Sequence, residues 1–171
     1  MKNANYLLTG LTLPNGSKSD ITISDGVITE IASNIIAAPG FTKVDLAGSI
    51  ALPGLVDLHT HLREPGKEDA ETVLSGTMAA AKGGFVAVSA MANTSPVADT
   101  AGVVEQVFAL GQSAGFADVF PIGAVTEGLK GENLAEIGAM ADSRARVRVF
   151  SDDGSCVLDP LVMRRALEYV K

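Results

Sequence analysis

His59 and His61 are the two histidines of the chain, two residues apart. On an extended strand, residues i and i+2 point to the same side. Both imidazoles can then reach one ion, and neutral imidazole is a frequent ligand of zinc and related divalent cations. Asp57 precedes the pair and Arg63 follows it at the same spacing, so the four residues form one row for as long as the chain stays extended. Two more polar segments follow apolar runs: Met91-Ala92-Asn93-Thr94-Ser95-Pro96 and Ser151-Asp152-Asp153-Gly154. Each alone reads as an ordinary turn. Imidazoles with a nearby carboxylate suit zinc, and a carboxylate shared by two ions makes a two-metal hydrolytic site. The plainer reading of His-x-His, polar residues at a strand end, stands beside this one.

These residues need elements that bring them to one place. From Leu52-Pro53-Gly54 onward, strand-like runs alternate with helical ones. Strands are expected at 54–59, 85–90, 119–125 and 146–150, and helices at 71–82, 100–113, 134–140 and from Pro160 to Lys171. Asp99 and Asp159 are candidate N-caps, the second followed by proline at the first helical position. Strand–helix units spaced by roughly thirty residues imply parallel pairing through right-handed crossovers. A nucleotide-binding sheet would place a glycine-rich phosphate turn after its first strand. Here His-Thr-His follows instead, which favours a β/α barrel, whose C-terminal strand ends converge on one site. Before residue 53 the pattern differs. Tyr6–Gly10, Asp20–Ser24, Val27–Ile31 and Lys43–Gly48 are short strand-like runs, with Asp25-Gly26 as a hairpin turn, and imply a small antiparallel sheet.

The chain has 171 residues and is 47% apolar, enough for a real core. Its apolar runs are too short for a membrane span, and Met1–Asn5 is polar rather than leader-like, so a soluble cytoplasmic protein is expected. A net charge of −7 argues against nucleic acid and anionic membranes as partners and leaves a small-molecule substrate open. Cys156 is the only cysteine, so no internal disulfide forms, and it reads as a small buried residue. Arg144, Arg146 and Arg148 read as structural or solvated.

The segment Gly54-Leu55-Val56-Asp57-Leu58-His59-Thr60-His61-Leu62-Arg63-Glu64-Pro65-Gly66 resembles the metal-binding signature of the dihydroorotases, in the amidohydrolase superfamily. Met91–Pro96 and Phe150–Gly154 are similar to two further blocks of that family. The form resembled is the longer bacterial type, in which an aspartate stands where relatives carry a carboxylated lysine. The likeness covers essentially the whole chain. It implies an α/β fold: residues 53–171 as the first half, about four βα units, of a metal-dependent hydrolase (TIM-like) barrel. Residues 1–52 would be a small antiparallel sheet belonging to a composite sandwich.

The implied chemistry is reversible, zinc-dependent opening of (S)-dihydroorotate to N-carbamoyl-L-aspartate in pyrimidine biosynthesis, with metal-activated water as nucleophile. By resemblance, His59, His61 and Asp152 hold zinc, with Asp153 as second choice. His61, Arg63 and Asn93 meet the substrate, Arg63 pairing with its carboxylate. Asp57 either orients a histidine or serves as a turn residue. Two zinc ions per complete site are implied. No general acid–base residue falls within these residues, the implied aspartate lying beyond Lys171. Members of the family are longer and carry further histidines, so the chain reads as a truncated copy, inactive and poorly folded alone. A second copy of the chain or aspartate carbamoyltransferase are the protein partners the resemblance suggests. Two alternatives remain: another cyclic amidohydrolase (a hydantoinase or allantoinase), or a catalytically dead scaffold for aspartate carbamoyltransferase.

Overall fold

A computed structural model describes residues 5–36 and 38–171. Of the polar N-terminal stretch, Met1–Ala4 lie outside the described residues. The chain divides into two compact units, Met1–Pro53 and Gly54–Lys171.

The first unit is a four-stranded sheet of β1 (Tyr6–Thr12), β2 (Lys18–Ser24), β3 (Val27–Ala32) and β4 (Thr42–Asp45), in the order β3-β2-β1-β4. β1–β2 and β2–β3 are antiparallel. The β2–β3 turn has positive φ at both Asp25 (51°) and Gly26 (78°), the hairpin geometry that matches strand twist. Leu7, Leu11 and Ile21 form its buried apolar positions. The expected all-antiparallel sheet is corrected at β4, which pairs parallel with β1. β3 runs in the same direction as β1, so the connection after it returns to the start of β1, and β4 then runs alongside.

The second unit holds a parallel sheet of β5 (Leu55–Thr60), β6 (Phe85–Ala90) and β7 (Asp118–Pro121), in sequence order. Helices α1 (Val73–Lys82) and α2 (Ala101–Ala114) are the crossovers. Val73 of α1, Val107 of α2, and Val88, Ala90 and Val119 of the sheet pack with Leu62 into one core cluster. A second cluster joins Val104 to Ala124, Met140 and Val147, around α3 (Ile137–Asp142). Helix α4 (Pro160–Tyr169) follows.

Local chemistry explains where the helices start. Thr72 caps α1 in a capping box with Ser75, each side chain bonding the other's backbone N–H. Asp159 accepts from the N–H of Leu161 at 2.7 Å, with proline at the first turn of α4. Asp99 does not cap α2. Its carboxylate accepts from the N–H of Gly128 (2.8 Å), and Thr100 takes the N-cap position without a side-chain bond.

The expected fourth strand at 146–150 is reduced to one parallel bridge, Gly123 to Phe150. Arg146 has φ 51°, which breaks the extended run at its first residue, and β7 stops at Pro121, which has no N–H to give a ladder. The chain still passes alongside: Gly123 N–H donates to Val149 O (3.1 Å), and Ser151 N–H to Gly123 O (2.9 Å). Arg148 is structural, donating to the carbonyls of Ala141 and Val147 at 2.9 Å each. Cys156 is exposed rather than buried, because it lies in the loop leading into α4. Among the described residues, no helix is long and apolar enough to cross a membrane.

Candidate metal centre

His59 is in the last turn of the pleat of β5 and His61 lies just past the strand end. The predicted row of four does not persist, because Arg63 turns the chain with φ 58°. Asp57 serves the backbone, accepting from the N–H of His59 at 3.0 Å, and among the described residues forms no ion pair or hydrogen bond with either imidazole ring. The left-handed turn at Arg63 lets Glu64 reach the start of α1, where its Oε2 accepts from the N–H of Val73 at 2.7 Å.

The two imidazoles converge on Asp153. His59 Nε2 and His61 Nε2 each lie 3.4 Å from Asp153 Oδ2. The three donor atoms stand within 4.8 Å of one another. A spacing of 3.4 Å exceeds the ordinary N–H···O bond of about 2.7–3.2 Å. It matches the edge of a zinc coordination tetrahedron, since ligands at 2.0–2.1 Å from zinc stand about 3.3–3.4 Å apart. Two imidazole nitrogens and one carboxylate oxygen are also the donor types zinc accepts, so the residues fit the ion.

Asp152, the neighbour of Asp153, is engaged elsewhere. It is buried, and its Oδ1 accepts from the N–H groups of Val125 (2.7 Å) and Thr126 (3.1 Å). Its Oδ2 accepts from the Thr126 hydroxyl, which in turn accepts from Gly131 N–H at 2.9 Å. With three donors from the protein, Asp152 fastens the segment after β7 to the segment before α4. Asp153, exposed on one side, is the carboxylate that faces the imidazoles.

Asn93 Oδ1 lies 2.9 Å from His61 Nδ1. The side chain of Arg63 is half-buried and, among the described residues, has neither an ion pair nor a side-chain hydrogen bond. The loops carrying Arg63 and Asn93 are fastened together: Ser95 N–H donates to Pro65 O at 2.9 Å. Gly66 adopts φ 105°, and a Cβ there would fall 2.3 Å from the Ser95 carbonyl oxygen. Both the backbone angle and the close approach require glycine. In the same loop, Glu68 accepts from the Gly66 N–H at 2.8 Å, which holds its carboxyl below the ordinary glutamate value. A mostly apolar cavity of about 930 Å³ lies between α3 and α4. Asp152 and Asp153 border it, but His59, His61, Arg63 and Asn93 do not.

The family described as "Dihydro-orotase-like" matches residues 48–168. The chain is 67% identical over 171 residues to the dihydroorotase of Leifsonia xyli subsp. xyli, covering all of this chain and 39% of that one. It is 61% identical over 165 residues to the dihydroorotase of Streptomyces coelicolor, covering 96% of this chain and 38% of the relative. The Mycobacterium tuberculosis dihydroorotase is 53% identical over 154 residues, at 90% and 36% coverage. The chain thus spans well under half the length of these relatives.

Among solved structures, an L-hydantoinase (dihydropyrimidinase) from Arthrobacter aurescens superposes with a TM-score of 0.65 at 22% identity, covering 86% of this chain and 32% of the other. A dihydropyrimidinase from Brevibacillus agri gives 0.54 at 23% identity, covering 71% and 27%. At that identity the likeness concerns the fold. With the family match extending over most of its residues, the chain belongs to the dihydroorotase-like family of amidohydrolases.

Proposed function

We infer that this chain supplies one side of the site of a zinc-dependent dihydroorotase, acting on (S)-dihydroorotate and N-carbamoyl-L-aspartate in pyrimidine biosynthesis. The observation that carries the reading is the pair of 3.4 Å spacings from His59 Nε2 and His61 Nε2 to Asp153 Oδ2. His59, His61 and Asp153 would hold the first ion. They fill part of one coordination sphere, so a two-zinc site needs donors beyond these three. Zinc supplies Lewis acidity toward the scissile ring amide and makes water more acidic. On this reading, residues 53–171 are the opening units of a β/α barrel, and residues 1–52 belong to a small composite sandwich. The enzyme works in the cytoplasm.

The chain's own residues bind and orient the substrate. Arg63 offers a planar fork of N–H donors, which matches a carboxylate bidentately. Its positive charge opposes the net −7 of the chain at the one place where an anionic ring must land. Asn93, on the facing loop, turns its amide nitrogen to the same carboxylate. The clasp between Pro65 and Ser95 fixes the distance between these two groups. Identity of 53–67% to dihydroorotases over most of the chain supports dihydroorotate over hydantoin as substrate.

The test is turnover by the full-length protein, followed as the loss of ring absorbance of dihydroorotate, with hydantoin and allantoin as competitors and zinc content measured alongside. Dihydroorotate is expected to be the favoured ring, and Arg63→Ala to raise KM by about 10–100-fold, the effect of losing a charge-assisted hydrogen bond. A preference for hydantoin overturns the substrate assignment. A folded full-length protein that takes up no zinc and opens no ring points to the scaffold role instead.

A further inference from the structure

Asn93 meets an imidazole as well as the place assigned to the substrate. Its Oδ1 lies 2.9 Å from His61 Nδ1. An amide oxygen only accepts, so this contact requires the proton of the neutral ring on Nδ1. The lone pair then sits on Nε2, the nitrogen 3.4 Å from Asp153. His61 is therefore oriented through Nδ1, with Nε2 left free to donate its lone pair to an ion. His59 differs: its side chain is 56% exposed, and its ring meets Asp153 and, edge-on, the ring of His61, with no hydrogen-bond acceptor on its other nitrogen among the described residues. The two histidines are unequal in how firmly they are oriented.

We propose that Asn93 is a positioning residue for His61, its side-chain oxygen fixing the Nδ1–H tautomer while its amide nitrogen serves the substrate carboxylate. This rests on the metal and substrate reading above and extends it, because one amide group then joins the two. Carbonyl-type acceptors on the outer nitrogen of a liganding histidine fix its tautomer and raise its basicity. The nitrogen of the same amide carries two donors with no partner among the described residues, on the loop that faces Arg63. Substrate and ion would then each favour the same side-chain rotamer of Asn93.

Two variants of the full-length protein separate the roles. Asn93→Ala removes oxygen and nitrogen together. Asn93→Asp keeps the oxygen acceptor and removes the donors. Zinc affinity is read by competition with a chelator, and the His61 tautomer by nitrogen NMR of histidine-labelled, metal-free protein. The Ala variant is expected to lose about 10–100-fold in zinc affinity, with His61 shifting toward Nε2–H. The Asp variant is expected to keep the parent's zinc affinity and Nδ1–H tautomer while KM for dihydroorotate rises about 10–100-fold. An Ala variant with the parent's affinity and tautomer overturns the proposal. So does an Asp variant that loses zinc as the Ala variant does. Should the Ala variant fail to fold, the Asp variant alone decides. A parent protein that takes up no zinc sinks the functional reading, while the metal-free tautomer measurement still decides the Asn93–His61 contact.

Discussion

Gly66 and Ser95 approach so closely that a side chain on the first would collide with the backbone of the second, at 2.3 Å from its carbonyl oxygen. This contact joins the loop after β5 to the loop after β6, and so spaces Arg63 from Asn93. Gly66→Ala is expected to destabilise the full-length protein by about 1–3 kcal/mol from the backbone angle alone, with more from the collision. On the proposed substrate reading its KM should also rise, because the loops that carry Arg63 and Asn93 both shift. Chemical denaturation and a substrate titration check this, and a variant with the parent's stability refutes it.

Asp152 and Asp153 should separate cleanly by mutation. Asp152→Ala leaves the buried N–H groups of Val125 and Thr126 without their acceptor. At roughly 1–3 kcal/mol for each such group, a loss of about 2–6 kcal/mol of stability is expected. Asp153→Ala should leave the melting transition nearly unchanged and lower zinc affinity at least about tenfold. The reverse pattern in melts and chelator competition would exchange their roles.

Glu64 belongs to the segment that resembles a metal-binding signature, yet its contact is with the first turn of α1. Glu64→Ala is expected to cost about 0.5–2 kcal/mol, as for a lost N-terminal cap, with zinc affinity unchanged. Thr72→Ala should act similarly through the capping box. Loss of zinc by Glu64→Ala without unfolding would give this carboxylate a part in the metal site.

Glu68 gives a pH dependence of known sign. The Gly66 N–H holds its folded value below the ordinary one. The folded state therefore binds the proton less readily than the unfolded state. The stabilisation is present above the unfolded glutamate value and is lost as pH falls through the lower folded one. A carboxyl titration by NMR should place Glu68 below an unstructured glutamate, and Glu68→Gln should flatten the acid limb of stability slightly. A Glu68 midpoint at or above the unstructured value would contradict the contact.

Much of this arrangement was legible in the residues because its causes are local. The His-x-His spacing, the change of pattern near residue 53 and the Asp159-Pro160 helix start all depend on neighbours in sequence. The acceptor roles of Asp99, Asp152 and Glu64 depend on N–H groups tens of residues away or across a turn, which no local pattern reveals. A signal for the Asp152–Asp153 choice did exist. In the expected strand Asp152 lies two residues after Phe150, which packs against the core, and Asp152 is itself buried. The direction of β4 and the shrinking of the fourth strand to one bridge were hidden for another reason. The first follows from where the chain re-enters its sheet, and the second from the left-handed turn at Arg146 and the end of β7 at Pro121.

The threefold anchoring of Asp152 has an entropic side. The peptide that carries Asp153 is already set by folding, before any cation diffuses in. The entropy of closing that loop is thus lost when the protein folds, and on the metal reading proposed above ion capture would have mainly the imidazole rotamers of His59 left to order.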